Sequence, residues 1–101
     1  MTERRSRHRQ RRRLRVSLGG VAVYTADVTE SGFSAELMHV LTPGHAVSGK
    51  VSLDAQEYEF HGKVVWARGG DSRLGQRGRM GVHFEQIDPR FAAAYKTAFA
   101  G

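Results

Sequence analysis

Eight arginines crowd the first fifteen residues, MTERRSRHRQRRRLR, and twelve positions beyond the last of them stands Asp27-Val28-Thr29-Glu30-Ser31-Gly32. These are residue types that can hold a nucleotide. An arginine fork grips phosphate, or the O6/N7 edge of guanine, through two parallel hydrogen bonds, and its flat cation stacks on a base. The Asp27 carboxylate repels phosphate but accepts from the N1–H and N2–H edge of a guanine. The Thr29 hydroxyl both donates and accepts. Gly32 permits a positive φ and lets a flat ligand approach the backbone. Each element also has a plainer reading. The arm alone could be a solubilising tail, and its RxxxR spacings (Arg5/Arg9, Arg7/Arg11, Arg9/Arg13, Arg11/Arg15) are almost unavoidable at such density. The turn alone could be an ordinary Asx/ST turn.

The charge belongs to the arm. The chain of 101 residues carries 16 Lys and Arg against 10 Asp and Glu, a formal net of +6. The eight arginines and Glu3 give the arm about +7, so residues 16–101 hold eight basic and nine acidic side chains, a net of −1. A length of 101 residues suits one small domain with a single core. With no cysteine, disulfides and thiolate metal sites are excluded. No apolar run approaches the roughly 20 residues of a membrane-crossing helix. Gly19-Gly20 arrives too soon after the arm for a secretory signal, and the arm lacks the apolar face of a transit peptide. A cytoplasmic protein is therefore expected. Nothing points to an enzyme. His8, His39, His45, His61 and His83 show no metal-ligand spacing, and no nucleophile elbow, P-loop or HExxH is present. His61 and His83 fall on polar faces of their strands.

The body that must position these groups reads as short strands. Leu14, Val16 and Leu18 alternate with polar residues, and VAVYTADV resumes an extended pattern after Gly19-Gly20. Beyond the turn, Phe33, Ala35 and Leu37 alternate with Ser34 and Glu36. After Thr42-Pro43-Gly44, Val47, Gly49, Val51 and Leu53 share a face, and Asp54-Ala55 closes a hairpin into Tyr58, Phe60, Gly62, Val64 and Trp66. The polar, glycine-rich segment 69–78 reads as a mobile connection, and Met80, Val82 and Phe84 as a last strand. Asp88-Pro89 is a helix start, with Phe91, Tyr95, Ala98 and Phe99 at helical spacing behind it. These elements predict a mainly β fold, a small six-stranded antiparallel barrel of split or Greek-key-like form with one C-terminal α-helix.

Arm and turn together resemble the PilZ domain, a bacterial receptor module for cyclic di-GMP. Its pattern is RxxxR before the first strand and [D/N]xSxxG after that strand. Here these become Arg11 to Arg15 and Asp27 to Gly32, with Gly62-Lys63-Val64-Val65-Trp66 and Met80-Gly81-Val82-His83-Phe84 following in the family's order. The resemblance covers the chain from about Arg11, so residues 1–10 read as a flexible arm and 11–101 as one domain. One departure is Thr29 in place of serine, which keeps the hydroxyl and adds a methyl that restricts χ1. Another is the lack of an arginine shortly after Gly32.

The resemblance implies a receptor that binds cyclic di-GMP, uses no cofactor and signals to an unidentified effector protein. It implies Arg11 and Arg15 on phosphates and guanine Hoogsteen edges, Arg12 stacked on or clamping a base, Asp27 and Thr29 on a guanine edge, and Gly32 leaving room. Trp66 shares a face with Phe60 and Val64 by alternation, which favours the core or barrel rim; contact with the ligand is the alternative. An arm so poor in apolar residues is expected to be disordered until ligand folds it over the barrel. Monomer or weak dimer, with no membrane insertion and no nucleic-acid partner, completes this reading. A basic barrel binding RNA or single-stranded DNA and a PilZ adaptor without ligand are the other two readings.

Overall fold

The computed structural model describes residues 13–99, with six strands, one 3-10 turn and one helix: β1 (Arg15–Leu18), β2 (Val21–Thr29), β3 (Gly32–Leu37), β4 (Ala46–Leu53), β5 (Gln56–Arg68), the turn Ser72–Leu74, β6 (Gly78–Ile87) and α1 (Arg90–Phe99). The strands close into a barrel in the order β1-β2-β3-β6-β5-β4. Every neighbouring pair is antiparallel, and β1 closes the circle on β4 with Val16 opposite Val51. Closure leaves no unpaired edge, the usual weakness of a small sheet.

Alternation fills the interior. Val16, Val28, Val51, Val64, Met80 and Val82 are buried with Phe33, Phe60 and Phe84. The three rings pack against one another, Phe33 edge-on to Phe60 at 5.7 Å and Phe60 to Phe84 at 5.2 Å between centroids. Helix α1 extends this cluster, because Phe91 meets Phe84 at 5.6 Å and Tyr58 at 5.7 Å. The Tyr95 hydroxyl donates to the Val28 carbonyl at 3.4 Å and pins the helix to β2.

The helix starts where Asp88-Pro89 predicted. Asp88 Oδ1 accepts from the Arg90 amide at 2.9 Å, and the Arg90 guanidinium reaches back to Oδ2 at 2.7 Å. That hydrogen-bonded partner holds the Asp88 carboxyl at about 2, below its usual 3.8. Two tight hairpins set the register elsewhere. Gly19-Gly20 and Asp54-Ala55 both take positive φ at the two loop positions. Glycine accepts that conformation freely, whereas Ala55 does not. The segment 69–78 is more organised than its composition suggests: Asp71 Oδ1 accepts from the Arg73 amide at 3.0 Å, and its carbonyl accepts from Leu74 and Gln76.

Of three interruptions in the ladders, two decide what faces outward on β2 and β5. Between β2 and β3, Thr25 pairs with Ala35 but Asp27, not Ala26, pairs with Ser34. Between β5 and β6, Val64 pairs with Val82 but Trp66 pairs with Gly81. In each case one extra residue, Ala26 or Val65, is absorbed as a bulge and the side-chain phase reverses.

Candidate functional site

The β2 bulge puts Asp27 on the outside. Strict alternation from the buried Val23 and Thr25 would have turned Asp27 inward only one residue out of step with Val28. With Ala26 absorbed, Val28 points into the core opposite Phe33, and Asp27 points out beside Ser34. The β5 bulge does the same for Trp66. The expected face shared with Phe60 and Val64 is therefore corrected: those two are buried, while Trp66 is 38% exposed on the outer surface.

Four strands now contribute one outward row, Asp27–Ser34–Gly81–Trp66, read across β2, β3, β6 and β5. At about 4.8 Å per strand it spans roughly 14 Å. Its middle is floored by two small residues, Ser34 and Gly81, and its ends carry a carboxylate and an indole. Polar rows flank it, the first of them rich in arginine. On one side run Arg15, Tyr24, Glu36, Arg79 and Arg68 in register, with Arg79 bound to Glu36 at 3.2 Å. The Arg13 guanidinium lies over the Tyr24 ring at 5.1 Å, bringing the chain entering β1 against this row. On the other side run Thr29, Gly32, His83 and Lys63. Lys63 also meets Glu85 at 3.5 Å.

The turn residues have definite local tasks. Thr29 Oγ1 accepts from the Ser31 amide at 3.1 Å and lies 3.1 Å from Ser31 Oγ, so its hydroxyl ties the hairpin as an ST turn. Gly32 does not use the positive φ expected of it; the described glycines with positive φ are Gly19, Gly20, Gly44 and Gly75. Its freedom is steric instead. A Cβ at Gly32 would overlap the Val82 carbonyl oxygen and lie 3.1 Å from the His83 Cα, so the missing side chain lets β3 close on β6.

Of the site residues expected from sequence, Asp27, Thr29, Gly32 and Trp66 come together on adjoining rows. Arg15 stands on the flanking row, opposite Tyr24. Arg11, Arg12 and the arm 1–10 lie outside the described residues. Sequence reading missed Ser34 and Gly81, which look like an ordinary polar alternate and a strand glycine until the ladders place them between Asp27 and Trp66. A separate cavity of about 800 Å³, with Leu18, Val23, Met38 and Met80 in its walls, does not include any member of the row. Among the described residues no three His, Asp or Glu side chains gather as a metal cluster, and no helix is long and apolar enough to cross a membrane.

Comparisons with known proteins agree with this architecture. The family model described as the PilZ domain matches residues 2–98. The solved structure of the Bacillus subtilis inhibitor of motility (MotI/DgrA) superposes with a TM-score of 0.79 at 14% identity. That alignment covers 98% of this chain and 51% of the other, so the chain spans about half the length of that neighbour. A comparison with curated protein sequences finds no match.

Proposed function

Because the chain belongs to the PilZ domain family, we propose that it is a cyclic di-GMP receptor and adaptor whose ligand lies along the outward row Asp27–Ser34–Gly81–Trp66. The observation that carries this reading is the arrangement of that row. Once the indole lying over Gly81 swings away, a flat base would rest over small residues, an acid at one end rewards a donor edge, and Arg15, Arg68 and Arg79 stand on one side with Lys63 on the other. A polyanion without base recognition would have no use for Asp27.

Within this proposal, Arg11 and Arg15 hold phosphates and guanine Hoogsteen edges, and Arg12 stacks on or clamps a base. Asp27 accepts from guanine N1–H and N2–H. Thr29 supplies hydroxyl chemistry at the turn and, through Ser31, keeps the hairpin closed beside the ligand. Gly32 contributes by keeping the surface low between Thr29 and His83. Trp66 offers an indole face for stacking. The reaction is binding alone, without cofactor, in the cytoplasm.

The signal would leave through an effector protein. In this proposal ligand draws the arginine arm over the barrel and creates an ordered surface that a partner can read. Hydrogen exchange checks this step, and equal protection of residues 4–20 with and without cyclic di-GMP would remove it. Calorimetry with cyclic di-GMP on the wild-type chain tests the receptor reading itself. Saturable binding is expected, and absence of heat at high micromolar ligand would sink the reading. An RNA-binding barrel differs in salt response, because its affinity falls steeply with each phosphate neutralised.

A further inference from the structure

Ser34 is buried, with 2% of its surface exposed, yet its hydroxyl has no hydrogen-bond partner among the described residues. A buried hydroxyl left unpaired is unfavourable, and native structures rarely keep one without use. Nothing about the barrel requires it. Phe33 and Ala35, its neighbours on β3, make the core contacts, and Ser34 points the other way, toward the outer face. An alanine there would fill the same backbone position without the unpaired oxygen.

Its place in the row suggests the use. Ser34 stands directly opposite Asp27 on β2 and directly opposite Gly81 on β6. Side chains paired in this way have Cβ atoms about 5 Å apart. We infer that the Ser34 hydroxyl is a specificity contact that donates to guanine O6 while Asp27 accepts from N1–H of the same base. This deepens the cyclic di-GMP reading and rests on it. O6 and N1–H are neighbours on one guanine edge, so an acceptor and a donor on adjacent strands read that edge as a pair. Adenine reverses both positions, placing its bare N1 against the carboxylate and its amino group against the hydroxyl. The hydroxyl could turn to accept, but the carboxylate cannot donate while ionised.

The burial of Ser34 has a consequence for uptake. Something must move before a base reaches the oxygen, and Trp66, two places along the row, is suited to moving. The Trp66 indole lies over Gly81, which has no side chain to lock it, and 38% of its surface is exposed. It is also the single tryptophan of the chain, so its emission reports the event directly.

The test compares wild type with Ser34→Ala by calorimetry against cyclic di-GMP and cyclic di-AMP, with thermal unfolding of both proteins without ligand. The expected result is cyclic di-GMP affinity weakened about fivefold, the loss of one hydrogen bond. The preference over cyclic di-AMP should narrow, with an unfolding midpoint unchanged or raised. Binding equal to wild type would overturn the Ser34 contact and leave the receptor reading standing. Weaker binding together with a lowered midpoint would assign Ser34 to packing and equally overturn it. If the wild type itself does not bind, both inferences fall together.

Discussion

The Trp66 indole occupies the space that a side chain at position 81 would need: a Cβ on Gly81 would lie 2.6 Å from Cε2 and 2.8 Å from Cδ1. The two residues sit opposite each other on β5 and β6 just past the Val65 bulge. The indole thereby rests over Gly81 on the outer wall, in the row that continues to Ser34 and Asp27. Glycine here makes a seat for the ring, whereas Gly32 makes room for the backbone of another strand.

That contrast separates two substitutions. Gly81→Ala presses a methyl against a side chain that can swing away, so the barrel should persist while Trp66 emission shifts and cyclic di-GMP affinity drops. Gly32→Ala presses a methyl against the Val82 carbonyl, which cannot move without opening the β3–β6 ladder. About 3 kcal/mol of stability should be lost, measured by denaturant unfolding. Equal stability loss in the two variants would contradict the assignment.

Replacing Asp27 by alanine should weaken cyclic di-GMP binding by about 10- to 100-fold, the range for a hydrogen bond to a charged group. The unfolding midpoint should move little, because Asp27 faces outward rather than into the core. Binding of single-stranded RNA, if any is detected, should be unchanged or stronger once the negative charge is gone. Calorimetry and a filter-binding assay distinguish the outcomes.

Asp88 should titrate unusually low. Its hydrogen bonds from Arg90 depress the folded carboxyl to about 2, against 3.8 ordinarily. A depressed carboxyl contributes stability above its unfolded value near 4 and loses it as pH falls toward 2. An NMR titration of the Asp88 carboxyl in the intact chain should place its midpoint near 2. Arg90→Ala should return it toward 3.8, since the guanidinium is the leading cause.

Ala55 holds a φ of 66° in the β4–β5 hairpin, a conformation that suits glycine. Ala55→Gly should stabilise the protein by about 0.5–1 kcal/mol, the steric relief being partly offset by the greater freedom of the unfolded chain. The same change at Ala35, buried in a regular strand, should destabilise it, and thermal unfolding of the two variants makes the comparison.

Most of the barrel was legible in local pattern. Val47 to Leu53 and Tyr58 to Val64 alternate without interruption, so period-two reading places them correctly on β4 and β5. Asp88-Pro89 marks the start of α1 because capping depends on adjacent residues alone, and Phe91 and Tyr95 fall on its buried side. Reading failed at Trp66 for a physical reason. Alternation carries phase forward only while every residue is paired, and the unpaired Val65 resets it. Nothing local announces that reset, since Val65 is as good a strand residue as Val64.

What the sequence determined alone is therefore chemical: a cationic arm, an acid and hydroxyl at one hairpin, and enough alternating apolar residues to close a small barrel. Tertiary structure decided which of those groups share a surface. Asp27, Ser34, Gly81 and Trp66 come from four strands and are distant along the chain. Two single-residue bulges turn the outer pair outward into register. A bulge is set by the pairing of one strand against another, where turning Val28 and Ala67 toward the core outweighs keeping the ladder regular. That balance is struck between strands, and it is invisible along any one of them.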